Sequence, residues 1–151
     1  MRVVVDTNVL VAGLLSPFGP PAEIVRMIAG NRLSICFDAR IITEYLQVLS
    51  RPRFELNLED VRTLMEQARA GGAVVAAEPL RKVLPDPDDA PFLEVALAGR
   101  AECLITGNLR HFPIALRQGM RVLLPAAFLE FYRRRQQRQE QRARRRKREG
   151  R

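Results

Sequence analysis

Short apolar runs alternate with longer segments of helical periodicity along most of the chain. Five such runs predict strands, at residues 2–5, 33–37, 73–77, 103–106 and 121–124. Helices are predicted at about 20–29, 39–50, 58–70, 91–98 and from 125 onward, and a turn rich in Gly and Pro around 13–19 precedes the first of them. Strands that alternate with helices favour a mainly parallel sheet covered on both faces, so the predicted fold class is α/β.

Capping residues mark two of the predicted helix starts. Asp38 precedes the second helix, and Asn57 precedes the third with Asp60 three residues further on. Asp and Asn side chains accept hydrogen bonds from the free N–H groups of a first helical turn. Both residues are therefore predicted N-caps.

The positive charge lies at one end of the chain. The 151 residues carry a formal net charge of +8, but residues 133–151 alone hold eleven basic and two acidic side chains. Residues 1–132 are left with a net charge of −1. We therefore predict a nearly neutral globular domain at 1–132, within the usual size of one domain, and a basic tail at 133–151.

Composition excludes several classes of protein. The longest uncharged apolar run, residues 9–15, is far shorter than the roughly 20 residues of a membrane span. Asp6 and Asn8 interrupt the stretch that a secretory leader would need. Cys36 and Cys103 are distant and show no partner pattern, which excludes a disulfide scaffold and a cysteine zinc site. A protein of the reducing cytoplasm is predicted.

Several polar side chains fall where predicted strands end. Asp6 follows the first strand, Asn108 follows the strand at 103–106, and Asp88 and Asp89 lead into a helix. Ligands of α/β proteins bind at the carboxyl ends of the strands, and Glu44 on a neighbouring helix could join this group. Clustered carboxylates without a thiol suit Mg²⁺ or Mn²⁺, and such a site favours hydrolysis of phosphodiester bonds.

Four segments of the chain resemble the PIN domain. They are 3–10 (Val-Val-Val-Asp-Thr-Asn-Val-Leu), the helix containing Glu44, 86–96 (Asp-Pro-Asp-Asp-Ala-Pro-Phe-Leu-Glu-Val-Ala) and 104–108 (Leu-Ile-Thr-Gly-Asn). The resemblance extends to about residue 131 and is greatest to the bacterial VapC-like toxins of toxin–antitoxin pairs. It implies a three-layer fold and a metal-dependent endoribonuclease specific for single-stranded RNA. It also implies a small antitoxin protein that blocks the cleft, and a homodimer.

The resemblance assigns metal ligands to Asp6, Glu44 and Asp89. Asp89 is preferred to Asp88 because apolar residues follow it at the +3 and +7 positions, as they follow the family's third acid. The chain departs from the family at the fourth position, where many relatives carry Asp and this chain has Asn108. Other relatives place an acid three residues later, where this chain has His111. Asn108 could complete the metal shell or position the attacking water, but without negative charge it weakens the case for a second metal.

Each acid also has a purely structural interpretation. Asp6 could cap the helix or turn that follows it, with Thr7 and Asn8 capping instead if Asp6 is functional. Periodicity alone makes Glu44 a solvated helix residue. Of Asp88 and Asp89, we expect one to cap the following helix and the other to bind metal.

Further residues are assigned supporting or structural roles. Thr7 and Thr106 are predicted to orient the acids. Glu94 could contact a metal through water or form a surface salt bridge. Asp86 is predicted to stabilise a turn through its side chain rather than to take part in the site. His111 is interpreted as a loop residue that contacts substrate only if its loop faces the cleft.

The basic tail has no apolar residue except Ala143 and cannot pack on a core. It is therefore either a solvated helical extension or a disordered arm. Arg133, Arg134 and Arg135 are predicted to contact RNA without sequence specificity, since no aromatic residue is interleaved to stack on bases. A solubilising tail or a docking site for an acidic partner are the alternatives.

Two other functions remain open. Asn108 in place of an acid favours an RNA-binding module of PIN type that has lost catalysis and binds through its tail. A phosphohydrolase on a related α/β fold is disfavoured, because such enzymes usually carry a second Asp where this chain has Asn8.

Overall fold

The central sheet has five parallel strands in the order β3-β2-β1-β4-β5. A computed structural model describes all 151 residues. The strands are β1 (Arg2–Val5), β2 (Ser34–Phe37), β3 (Ala73–Val74), β4 (Cys103–Ile105) and β5 (Val122–Leu123). The α/β class predicted from the sequence is confirmed, and all the strand pairs are parallel.

Six helices connect and flank the strands. They are α1 (Thr7–Leu15), α2 (Pro20–Ala29), α3 (Ala39–Leu49), α4 (Leu58–Gly71), α5 (Ala90–Ala98) and α6 (Pro125–Glu149). Single 3-10 turns lie at Pro52–Phe54, Pro87–Asp89, Leu109–His111 and Ile114–Leu116. Helix α5 lies against β1, β2 and β4, while α2 packs with α1, α4 and α6.

Strand β1 is the centre of the core. Val3, Val4 and Val5 are each 0% exposed although successive side chains of a strand point to opposite faces. Both faces of β1 are therefore covered, which explains the unbroken apolar run in the sequence. Its register with β4 pairs Val5 with Ile105, and this pairing fixes which residues meet beyond the strand ends.

Both predicted N-caps are confirmed. The Asp38 side chain accepts hydrogen bonds from the N–H groups of Arg40 and Ile41, at 3.0 and 3.1 Å. The Asn57 side chain accepts from Glu59 and Asp60 in the same way. Local capping chemistry therefore sets the start of α3 and α4.

Helix α1 differs from the sequence prediction, which has a turn around residues 13–19. The helix runs through Gly13, where an added Cβ would lie 2.5 Å from the Pro21 carbonyl oxygen and from a methyl group of Val25. Gly13 is therefore needed for the close contact of α1 with α2, a tertiary requirement that resembles a turn signal in the sequence. The strands predicted at 73–77 and 121–124 are also shorter, with two residues each.

Helix α6 is continuous across the boundary predicted at residue 132. Phe128 and Leu129 are its buried residues, and every residue from Gln137 to Gly150 is exposed. Of the two forms predicted for the tail, the structure has the solvated helical extension. No helix of the protein has both the length and the apolar character that crossing a membrane requires.

Candidate functional site

Asp6 and Thr106 meet at the carboxyl edge of the sheet. The pairing of Val5 with Ile105 places the next residue of each strand side by side. Thr106 Oγ1 donates to Asp6 Oδ2 at 2.8 Å, and the Asp6 N–H donates to the Ile105 carbonyl at 2.8 Å. Both side chains are buried. Thr106 therefore holds the Asp6 carboxylate in one orientation.

Glu44 reaches this group from α3. Its Oε2 accepts a hydrogen bond from Thr7 Oγ1 in the first turn of α1. The side chain is half-buried, and the charges of Asp6 and Asp88 lie close enough to act on it. Glu44 is thus held close to the acids. Periodicity alone predicts a freely solvated side chain instead.

Asp89 and His111 form the third part of the cluster. Asp89 is 8% exposed, and its Oδ2 is buried without a hydrogen-bond partner. His111 Nδ1 lies 2.8 Å from that oxygen, and the imidazole lowers the pKa of Asp89. Potential ligand atoms of Asp86, Asp89 and His111 all lie within 4.8 Å of one another.

Sequence reasoning assigns His111 no metal or catalytic role. The signal that could have found it was its position, three residues after Asn108, where some relatives of the resembled family carry an acid. The 3-10 turn at Leu109–His111 directs the imidazole back to Asp89. The loop after β4 therefore faces the acidic cluster.

The cap of the turn before α5 is Asp86, not Asp88 or Asp89. Asp86 Oδ1 accepts from the Asp88 N–H at 3.0 Å, and Asp89 makes no capping hydrogen bond. The prediction that Asp88 or Asp89 would cap is wrong. A 3-10 turn at Pro87–Asp89 precedes α5, and the capping residue is Asp86, directly before that turn. The predicted turn role of Asp86 is confirmed, and Asp88 is exposed.

No side chain caps α1. Asp6 occupies its N-cap position without a capping hydrogen bond, and Thr7 and Asn8 lie inside the helix. The prediction that Thr7 and Asn8 would cap in place of Asp6 is therefore wrong. The unpaired N–H groups at this helix end point toward the acids, where the helix dipole stabilises negative charge.

The pKa of each of the three acids is raised, and burial is the largest cause in every case. Burial raises the pKa of Asp6, and the hydrogen bond from the Thr106 hydroxyl, together with the nearby backbone N–H groups of Thr7 and Asn8, partly offsets this. Burial also raises the pKa of Glu44, and the charges of Asp6 and Asp88 add to this.

Burial and the charge of Asp6 together raise the pKa of Asp89 to about 6, although His111 opposes the shift. Charged groups that are desolvated and close together are typical of functional sites. Positive charge bound beside these acids would stabilise their ionised forms.

Asn108 and Glu94 are engaged elsewhere. Asn108 Oδ1 accepts from the Arg110 N–H at 3.1 Å, which starts the turn carrying His111. Glu94 is 7% exposed, and its two oxygens accept from Arg40 at 2.7 Å and from the Leu80 N–H at 2.9 Å. Glu94 is thus a buried acid that pairs with the half-exposed Arg40, because α5 turns it toward the start of α3. The two predicted roles were a contact to a metal through water and a surface salt bridge.

A buried tyrosine of α3 supports the backbone next to Asp6. Tyr45 is fully buried, and its hydroxyl donates to the Val5 carbonyl at 2.5 Å. Val5 directly precedes Asp6, so this bond fixes the backbone from which the Asp6 side chain leaves. Nothing in the sequence distinguishes such a tyrosine from an ordinary core aromatic.

The three arginines predicted to contact RNA point in different directions. Arg133 lies 3.9 Å from Glu23, and Arg135 pairs with both oxygens of Glu102 at 2.5 and 3.0 Å. Arg134 has no acidic partner. Consecutive residues of a helix are about 100° apart, so these three do not form one patch. Their contact with RNA stays a prediction.

The chemistry of the cluster fits a hard divalent cation. The ligand atoms that lie together are carboxylate oxygens of Asp86 and Asp89 and an imidazole nitrogen of His111. Asp6 is close enough to raise the pKa of Asp89 and of Glu44. The buried Asp89 Oδ2 without a partner is a position that a cation would satisfy. A cation would also relieve the repulsion that raises the pKa values of the acids. The residues present can therefore hold Mg²⁺ or Mn²⁺.

Comparison with known families agrees with this arrangement. The chain matches the PIN domain over residues 2–110, a range that includes every acid of the cluster and ends one residue before His111. No curated protein and no solved structure matches the chain significantly. The match covers most of the chain, including four of the five strands. The chain belongs to the PIN-domain family.

Proposed function

We propose that this protein is a Mg²⁺- or Mn²⁺-dependent endoribonuclease that hydrolyses phosphodiester bonds of single-stranded RNA. PIN domains are generally metal-dependent nucleases. The observation that carries the proposal is that Asp6 lies close enough to Glu44 and Asp89 to raise the pKa of both, beside a buried Asp89 oxygen that faces His111.

In this proposal Asp6, Glu44 and Asp89 hold the cation. When bound, the cation lowers the pKa of a water and stabilises negative charge on the phosphate. Thr106 and Thr7 keep the Asp6 and Glu44 carboxylates in position through their hydroxyl groups. Such fixed orientation avoids reorganisation during the reaction, which is a large part of catalysis by polar sites.

Asn108 acts through its amide nitrogen. Its oxygen is committed to Arg110, and this leaves the side-chain NH₂ group free to donate to a water or to substrate. Asp88, exposed beside Glu44, adds negative charge at the rim of the site. Because Asn108 brings no negative charge, one metal is the simplest content of the site.

The partners of this nuclease are proposed from the resemblance to VapC-like toxins. They are a small antitoxin that covers the acidic edge and a second copy of the chain, in the cytoplasm. The free cysteines Cys36 and Cys103 support a reducing compartment. Expression with and without its neighbouring gene tests the toxin role, and light scattering tests the homodimer.

A catalytically impaired RNA-binding module is the second candidate. It is favoured by Asn108, which brings no charge to the position where many relatives carry an acid. A site with fewer charges binds a cation more weakly, so cation-dependent stabilisation separates the two candidates.

The deciding experiment is cleavage of a fluorogenic single-stranded RNA in Mg²⁺, Mn²⁺ or EDTA. Asp6→Asn and Asp89→Asn are compared with Asp60→Asn, which changes an exposed acid on α4. Cation-dependent cleavage that both site variants lose and the control keeps supports the nuclease. RNA binding without cleavage in any cation supports the binding module instead.

A further inference from the structure

Helix α6 carries the basic tail away from the acidic edge of the sheet. It starts directly after β5, at the carboxyl edge, and packs on α2. Ten residues later Arg135 pairs with Glu102, which directly precedes β4. The helix therefore runs antiparallel to the strands, and its extension from Gln136 projects beyond the amino edge, opposite the acids.

A cleft of about 330 Å³ lies where α6 reaches this edge. The guanidinium of Arg121 lies over the ring of Phe131, 4.4 Å from its centre, and that of Arg135 lies 6.0 Å away. Arg134 and Arg138 line the same cleft, with Glu130 as its one acid. The cleft thus combines planar guanidinium and aromatic groups with excess positive charge.

Further arginines continue along the same face of the helix. Arg134, Arg138 and Arg142 are spaced four residues apart, about one turn or 5.4 Å each. Arg138, Arg142 and Arg145 also line a second, shallower depression of about 250 Å³. Arg134, Arg138 and Arg142 make no salt bridge, and like charges four residues apart destabilise a helix. A bound polyanion would relieve that repulsion.

We propose that Arg121, Phe131, Arg134, Arg138 and Arg142, here called the arginine track, bind a stretch of single-stranded RNA outside the acidic site. Arginines at regular intervals suit a repeating phosphate backbone. The stacked Arg121 and Phe131 offer planar surfaces for an unpaired base, which an acidic peptide would not use. The inference rests on the proposed function in one respect: the RNA that the arginine track binds is taken to be the RNA that the acidic site cleaves.

The aromatic residue changes the interpretation of the tail. Phe131 lies two residues before the predicted tail at 133–151, and it lines the same face of α6 as Arg134 and Arg138. Of the three arginines predicted to contact RNA, Arg134 alone belongs to the track.

The test is binding of a fluorescent 30-nucleotide single-stranded RNA, measured by anisotropy in EDTA so that no cleavage occurs. R134Q/R138Q/R142Q is compared with R144Q/K147Q/R148Q, which removes the same charge from other faces of α6. We expect the track variant to lose roughly tenfold or more in affinity, with a salt dependence lower by about 2 in slope. The control variant should lose less than about threefold. Equal losses in the two variants, or none in the track variant, would overturn the proposal.

The cleft and the class of ligand have separate tests. Phe131→Leu and the exposed Arg121→Gln should weaken binding of single-stranded RNA more than binding of a duplex, since a duplex offers no free base. Polyglutamate that competes as well as RNA would overturn the assignment to RNA. Because these measurements exclude cleavage, a protein that binds RNA through the track but never cleaves it would refute the proposed function and leave the track standing.

Discussion

Replacing Asp89 with Asn should stabilise the protein when no divalent cation is present. The pKa of the Asp89 carboxyl is about 6, against an ordinary value of 3.8, because burial and the charge of Asp6 disfavour its ionised form. An acid with a raised pKa binds more protons in the folded state than in the unfolded state. Stability contributed by this group is therefore present below about pH 4 and is lost as the pH rises through 6.

The size of the effect follows from that difference. About two pKa units correspond to roughly 3 kcal/mol at pH 7.5 as an upper bound. Residual contact with water and the charge shared with Asp6 reduce this, so we expect about 1–2 kcal/mol. For a chain of this length, that raises the melting temperature by roughly 2–8 °C.

The assay is thermal unfolding of Asp89→Asn and wild type in EDTA at several pH values. The advantage of the variant should be clear at pH 7.5 and should shrink as the pH falls toward 4, whereas Glu78→Gln, an exposed loop change, should have no such profile. Excess Mn²⁺ should reverse the order, since only wild type gains from binding, by about 2.7 kcal/mol at a hundred times the Kd. A variant that melts below wild type in EDTA at pH 7.5 would refute the reasoning.

Three further predictions concern the support of the site. Thr106→Val removes the hydrogen bond that lowers the pKa of Asp6, so the pH–rate profile of cleavage should move to higher pH and the rate at neutral pH should fall about tenfold. Tyr45→Phe leaves the buried Val5 carbonyl without its partner and should cost about 1–2 kcal/mol in urea unfolding; no loss would show that the bond is unimportant. Gly13→Ala places a Cβ 2.5 Å from a backbone oxygen and should cost at least about 2 kcal/mol in the same assay, while Ala12→Gly on the exposed face of α1 should cost only about 1.

The parts of the fold that depend on local chemistry were predictable. Unbroken apolar runs predict buried strands such as β1. The caps Asp38 and Asn57 are predictable because each side chain bonds to N–H groups within three residues of it. The meeting of Asp6 with the end of β4 was also predictable, because parallel strands bring their carboxyl ends to one edge.

The remainder depends on contacts between distant segments. Glycine in α1 looks like a turn signal until α2 is packed against it. The pairing of His111 with Asp89 and the pairing of the buried Glu94 with Arg40 each join residues that are far apart in the sequence. Periodicity and spacing carry no information on such pairs, so the sequence alone left these side chains at the surface or without a role.

The order of the strands also governs when the acidic edge can exist during synthesis. Asp6 is made 100 residues before its partner Thr106, and β4 must be made before β1 has a neighbour on that side. Parallel pairings between such distant segments form slowly. A fragment that ends before Cys103 leaves the apolar β1 with an open edge, which favours aggregation. The acidic edge is therefore assembled only after β4 has been made, because shorter chains lack both Thr106 and the strand that covers this side of β1.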